Sequence, residues 1–444
     1  MPLDEIGLSA YGAASSEPSP VNRMMAEFAA DFRDGCDVNL GVGYVNERTI
    51  PSDKMVETLR EVLADPRKYR LPFNYGGPSG SRNLLESLRN YLVTHRVGGI
   101  TEDVLDRNEL IVGPSGATSL LEGVGRLVPP GIVVTSDPMY YIFCDYLERQ
   151  GFELLAVPED DDGLRTDILR DRLGELGDRQ REISFFYAVT VSNPTCTILS
   201  DTRRRELVEI ASGLSAEVGR RIPVFLDRAY EDLVHDPDRV PPQSALLYDE
   251  AGVVYEIGTL SKILAPALRI GYMIGRKSPF TSAMVQKSSD TGFSAPLVTQ
   301  EIASRMLDRY VDEQVKSVNR EYRRKAAAVA EWIDAFLGDE VADRKGGSAG
   351  FYYYLTFRCV ETGESSDFFR FLSRRTGDPA LDMLEGERAP CVIYLPGSYC
   401  VHAAGELVEA GRRQLRLSYG FEELDRIEEA LRTMGEAMEW VRNA

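Results

Sequence analysis

Four short runs in this 444-residue chain are almost wholly apolar: Ile132-Val-Val134, Ile183-Ser-Phe-Phe-Tyr-Ala-Val189, Pro223-Val-Phe-Leu-Asp227 and Val253-Val-Tyr-Glu-Ile257. A strand with one solvated face alternates apolar and polar residues; these runs do not, so both faces must be covered, as in parallel strands between helix layers. Residues 109–113 and 270–275 add two further strand runs, and amphipathic helical stretches stand between strands at residues 83–95, 118–128 and 202–219. The alternation predicts an α/β fold with a mostly parallel central sheet and helices on both faces.

The length is about three times a ~150-residue domain, which predicts a second, smaller unit. Beyond residue 295 a charge-decorated helical stretch runs to roughly Leu337. A strand pair over residues 346–357, a helix over 365–377, strands over 390–397 and 413–420 and a final helix over 422–443 then read as an α+β domain. The expected division is an N-terminal arm and part of the small domain over 1–50, a large domain over 51–330 and a small domain over 331–444. Ser, Pro, Ala and Gly dominate residues 1–22, which predicts an extended arm before a first helix near Val21–Phe32.

Lys plus Arg number 51 against 70 Asp plus Glu, a net charge of −19 that repels phosphate backbones and argues against nucleic-acid or basic membrane-surface binding. Six cysteines without a C-x-x-C pair and only three histidines suggest neither a zinc site nor a disulfide framework. The first twenty residues lack the apolar core of a leader, and no run of ~18 apolar residues follows; the expectation is a cytoplasmic protein acting on a small molecule.

Chemistry concentrates after the run Val253–Ile257, in Thr259-Leu-Ser261-Lys262-Ile-Leu-Ala-Pro-Ala-Leu-Arg269-Ile-Gly-Tyr272. Open parallel sheets bind ligands at the carboxyl ends of their strands. Hydroxyls and a guanidinium fork there suit a phosphate, and a lysine held partly unprotonated suits a Schiff base. The plain alternative is a surface Lys and Arg behind a core strand. Asp227 ends another apolar strand and Tyr230 follows three residues later; a carboxylate there could keep a heteroaromatic nitrogen protonated while a phenol donates to a ring oxygen. An isolated strand-end Asp is otherwise a cap or turn residue. Ser192-Asn193-Pro194-Thr195 is a turn signal whose amide could reach the same oxygen.

In this order the three strings resemble the fold-type I, pyridoxal 5′-phosphate-dependent aminotransferases of class I/II. The resemblance covers roughly residues 37–440. It implies that Lys262 carries the cofactor and shuttles the proton, that Arg269, Ser261 and Thr259 bind its phosphate, that Asp227 pairs with the ring nitrogen, and that Tyr230 and Asn193 contact the ring oxygen. Gly113-Pro-Ser115-Gly116-Ala117-Thr118 is similar to the family's phosphate loop at a helix N-terminus. Tyr140, with Tyr141 as the competing choice, resembles the aromatic stacked on the ring. Arg416 resembles the grip on the substrate α-carboxylate, with an exposed strand arginine as the alternative, and Gly43 the glycine turn beside the substrate. Tyr75 resembles the tyrosine that reaches the neighbouring subunit's phosphate, which implies a homodimer with shared active sites.

Two departures from the family pattern stand out: Cys196 replaces the glycine of N-P-T-G, and Leu85 replaces an arginine. The absence of a preceding helix-turn-helix domain argues against the related regulators with an appended aminotransferase-like domain. The implied activity is ping-pong transamination between an α-amino acid and a 2-oxo acid, with no metal. A lyase running β- or γ-elimination or ring formation on the same scaffold is the main rival, and a non-catalytic binding protein the second.

Overall fold

The computed structural model describes residues 6–443. Its large sheet has eight strands: β1 Asn108–Val112, β2 Ile132–Asp137, β3 Glu153–Asp160, β4 Gly163–Leu164, β5 Ile183–Val189, β6 Val224–Asp227, β7 Val254–Thr259 and β8 Gly271–Arg276. They lie in the order β1-β8-β7-β6-β5-β2-β3-β4. The run β7-β6-β5-β2-β3 is parallel; β8 is antiparallel to both its neighbours, and β4 folds back on β3. β2, β5, β6 and β7 are buried at every residue, including the polar Thr135, Ser136, Asp137, Asp227 and Glu256.

A second, antiparallel sheet of four strands contains β9 Val341–Gly346, β10 Tyr352–Phe357, β11 Leu395–Pro396 and β12 Gln414–Ser418, in the order β9-β10-β12-β11. Val38–Asn39 pairs in parallel with Val392–Ile393, so a segment near the N-terminus is stitched to the C-terminal part of the chain. Among the described residues no helix is long and apolar enough to cross a membrane.

Several sequence expectations are corrected. Part of the predicted extended arm is the helix Ala10–Ala14, capped by the Ser9 hydroxyl and anchored by Tyr11 edge-on to Tyr146; residues 1–5 of that arm lie outside the described residues. The long stretch after residue 295 is two helices, Leu297–Arg309 and Val311–Phe336, broken at Tyr310. The strand pair expected within residues 346–357 is a single strand, β10, because Gly346, Gly347 and Gly350 have positive φ and form the turn from β9. Residues 390–397 split between two sheets, as Val392–Ile393 and β11. The strand β3 was not foreseen: Pro158 demotes its sequence, yet the two-residue strand on its outer side pairs only with Glu159 and Asp160.

Candidate active site

The carboxyl ends of β5, β6 and β7 deliver Asn193, Asp227 and the Thr259–Lys262 string to one cavity of about 240 Å³. Its lining also includes Gly43, Ala117, Thr118, Tyr140, Tyr230 and Arg269. Larger clefts of about 500 Å³ occur elsewhere, but none of Lys262, Asp227 and Arg269 lines them, so chemistry and not size selects this one.

Lys262 is half-buried on the wall formed by the β7 exit. Its Nζ donates to the Gly43 carbonyl at 2.9 Å and lies 5.4 Å from the ring centres of both Tyr230 and Phe351. Desolvation, then the nearby Arg416 guanidinium, pulls its pKa down to about 8, against the opposing pull of Asp227. The amine is thus unprotonated far more often at neutral pH than an exposed lysine is.

Asp227 closes β6, where burial pushes its carboxyl up to about 6. Oδ1 accepts from the Ala229 N–H at 3.0 Å and Oδ2 from the Tyr187 hydroxyl at 3.2 Å. Neither donor is a cation, and Asp227 makes no salt bridge among the described residues. Lys262 favours the ionised form from within the cavity without a direct contact, so a buried carboxylate here gains from a cationic group arriving beside it, which is what a protonated pyridine supplies.

Another wall near the cavity combines backbone with side-chain donors. Arg269 adopts φ +54°, which turns its side chain back towards Ser115: Nε donates to Ser115 Oγ at 3.2 Å and Nη2 to the Ser115 carbonyl at 3.1 Å. Gly116, at φ +67°, lets it approach, because a Cβ there would sit 2.9 Å from Arg269 Nη2. The helix Gly116–Leu127 begins at this point with no side-chain cap on Ser115, so the first N–H groups carry the helix's positive end towards the cavity. Thr259 donates its hydroxyl proton to the Ile270 carbonyl at 2.8 Å, and its Oγ1 lies 3.0 Å from Ser261 Oγ, which fixes both hydroxyls on the same wall. This donor set fits a phosphate.

Arg416 lies at the centre of β12 and is buried, not the exposed strand arginine of the plain alternative. Nη1 donates to Asn193 Oδ1 at 2.7 Å and Nη2 to the Gly41 carbonyl at 2.6 Å, while Nε has no partner. An unpaired buried guanidinium N–H is a standing site for an acceptor. Of the competing aromatics, Tyr140 lines the cavity, whereas Tyr141 is buried beside Arg416. Tyr75 does not reach the cavity of its own chain; it is 80% exposed and rests near Phe293.

Two groups escaped the sequence reading. Tyr187, inside β5, bonds Asp227, and Tyr352, on β10, has its hydroxyl 2.8 Å from that of Tyr230. Both sit in apolar strands where an aromatic reads as core.

A model of the family "Aminotransferase class I and II" matches residues 37–371, three quarters of the chain. The chain belongs to that family. The cofactor of this aminotransferase family is pyridoxal 5′-phosphate, and the cavity's buried carboxylate without a salt bridge, its half-buried amine and its phosphate-type donors fit it. Aromatic-amino-acid aminotransferase 1 of Thermococcus litoralis is 24% identical over 406 residues, covering 90% of this chain and 88% of that protein. The HTH-type transcriptional regulator YisV of Bacillus subtilis is 24% identical over 340 residues, 76% of this chain, which spans 65% of the regulator's length. The crystal structure of a multiple substrate aminotransferase from Thermococcus profundus superposes with a TM-score of 0.81 at 20% identity, covering 98% of each chain, and carries the same fold.

Proposed function

We propose that this family member is a working aminotransferase that uses pyridoxal 5′-phosphate to move an amino group between an α-amino acid and a 2-oxo acid. The observation that carries this is the pairing, in one cavity, of a half-buried lysine with a pKa of about 8 and a buried carboxylate that makes no salt bridge among the described residues. When bound, the cofactor supplies an electron sink that acidifies the substrate Cα–H. Asp227 holds the ring nitrogen protonated. Lys262, half-buried with its pKa lowered to about 8, would anchor the cofactor and, once freed by the incoming amine, would take up and return the substrate's Cα proton through Nζ. Gly116, Ala117, Thr118, Ser115, Thr259, Ser261 and Arg269 hold the phosphate; Tyr140 covers the ring, and Asn193 and Tyr230 address its oxygen. Arg416 receives the substrate carboxylate beside Asn193, close to the Gly43 turn.

The proposed assembly is a cytoplasmic homodimer in which Tyr75 reaches the partner's phosphate. Leu71, Phe73 and Tyr75 are exposed at 63%, 73% and 80%, an apolar surface that a second copy would cover. All six cysteines are unpaired, as in a reducing compartment. The proposed division groups residues 1–50 with the small domain at 331–444, against a large domain at 51–330; the pairing of Val38–Asn39 with Val392–Ile393 supports it for that segment, whereas Tyr11 packs on Tyr146 of the large domain.

The test is to mix holoprotein with a panel of amino acids and follow the cofactor spectrum and the products. Transamination converts the cofactor to its amine form with one equivalent of 2-oxo acid, and a second 2-oxo acid reverses it. Release of ammonia without the amine form would make the protein a lyase. No spectral change with any amino acid would make it a binding or regulatory protein.

A further inference from the structure

We infer that Tyr352 is a positioning residue for the cofactor's ring oxygen, acting through Tyr230 as the second member of a phenol relay. The inference rests on the proposed placement of Tyr230 at that oxygen. Its own evidence is a geometry that a core aromatic does not need. The two hydroxyls lie 2.8 Å apart, buried, between rings in edge-to-face contact with centroids separated by 5.7 Å. Strand β10 carries Tyr352, and its neighbour β12 carries Arg416, whose guanidinium lies 4.3 Å above the Tyr352 ring. The ring is therefore held from one side by a cation and from its tip by Tyr230. The turn at Gly43 leaves room for the hydroxyl: a Cβ there would sit 2.5 Å from Tyr352 Oη. The same Gly43 offers its carbonyl to Lys262.

By geometry alone either hydroxyl can be the donor. Once the Tyr230 proton is given to the ring oxygen, only Tyr352 can donate to the Tyr230 oxygen. A donor that itself accepts a hydrogen bond is a stronger donor, because the bonds in such a chain polarise one another. The relay thus draws negative charge out of the cofactor's ring oxygen. That oxygen helps to hold the proton on the nitrogen linking Lys262 to the cofactor, so stronger donation lowers the pH at which this proton leaves. Asp227, Arg416 and Arg269 are the other charged groups facing Lys262, and the variants below alter none of them.

The experiment is a spectrophotometric pH titration of the Lys262-linked cofactor band in substrate-free holoprotein, across wild type, Tyr352→Phe, Tyr230→Phe and the double variant. Tyr352→Phe should raise the midpoint by about half a pH unit, the size of one modest hydrogen-bond effect. Tyr230→Phe should raise it further, and adding Tyr352→Phe to it should change nothing more. A Tyr352→Phe midpoint equal to wild type, or the same shift in the Tyr230→Phe background, would overturn the relay. If Tyr352→Phe fails to fold, 3-fluorotyrosine at position 352 keeps the hydroxyl and makes it a better donor; the midpoint should then fall, and an unchanged midpoint defeats the inference. A wild-type protein with no Lys262-dependent band would instead defeat the cofactor reading itself.

Discussion

Cys196 Sγ occupies the space that a Cβ on Gly350 would need: the two would be 2.5 Å apart. Cys196 has φ +55° and Gly350 φ +62°, so both backbones are left-handed. Where the family pattern places a glycine at the N-P-T-G turn, this chain keeps the conformation but fills it with a side chain, and the matching absence of one falls at Gly350. Burial pushes the Cys196 thiol up to about 12, so it packs and does not react. Gly350→Ala should cost about 2–4 kcal/mol, from left-handed strain plus overpacking. Adding Cys196→Gly should return about 1–2 kcal/mol of that by removing the clash while leaving the strain. Chemical denaturation of the two single variants and the double measures the coupling; strictly additive losses would show that the pair does not interact.

Asp227 should trade stability for function. Its carboxyl is raised by burial to about 6 in the folded chain, against 3.8 for an ordinary aspartate. Between those values the folded protein keeps a proton that the unfolded chain releases, so stability falls as pH rises through this window and stays reduced above it. The cost at pH 7 is about 3 kcal/mol. Cofactor-free Asp227→Asn should accordingly be more stable than cofactor-free wild type at pH 7, and the gap should close towards pH 4. With the cofactor bound, the same variant should slow proton abstraction in a single turnover. A stability difference independent of pH would mean that the carboxylate is not the source.

Lys262 and Asp227 were legible because each sits in a short string that also fixes its neighbours, and the alternation of strands and helices puts both strings at the same end of the sheet. Tyr187 and Tyr352 were not. Tyr187 meets Asp227 from 40 residues away, and Tyr352 meets Tyr230 across 122. No local spacing encodes such pairs; they exist only after strand register brings β5 beside β6 and the second sheet over the first. Nor did the departure at Cys196 reveal its consequence, since Gly350 lies in a glycine-rich turn that reads as a loop from its composition.

Borohydride reduction of holoprotein should fix the cofactor to Lys262 and to no other lysine. Burial and Arg416 hold this amine at about 8, which leaves it reactive at neutral pH. Peptide mapping locates the adduct, and Lys262→Ala should lose both the adduct and the pH-dependent cofactor band. An adduct on Lys325, which is fully buried, would relocate the chemistry.

Arg416→Lys keeps a positive charge but loses the fork that serves Asn193 and Gly41 together. It should lower kcat/KM by the equivalent of about 2–5 kcal/mol, the range for truncating one side of a buried charge-assisted pair. Cofactor affinity, read from the visible band, should change far less. Asn193 Oδ1 and the Gly41 carbonyl lose donors as well, so a smaller drop in thermal stability should accompany the kinetic loss. An unchanged kcat/KM for every amino acid would move the carboxylate site away from Arg416.

Tyr75 supplies the test of shared active sites. In its own chain it is a solvent-exposed residue near Phe293, with its backbone N–H bonded to Asn74 Oδ1 at 2.8 Å, and it is absent from the lining of the cavity. Side chains as apolar as Leu71, Phe73 and Tyr75 gain by burial, and a two-fold contact would bury them on both copies at once. A homodimer that did so could carry Tyr75 to the partner's phosphate wall at Arg269 and Gly116. Lys262→Ala removes the amine from one chain, and Tyr75→Asp places a negative charge where a phosphate is expected; each should be inactive alone. Mixed and reassembled, the heterodimer contains one site in which wild-type Lys262 from one chain meets wild-type Tyr75 from the other. Activity should therefore recover to about a quarter of wild type, since half of a random mixture is heterodimer and half of its sites are intact. Verified heterodimers without activity, or a monomer that turns over at the full rate, would return Tyr75 to its own chain's surface.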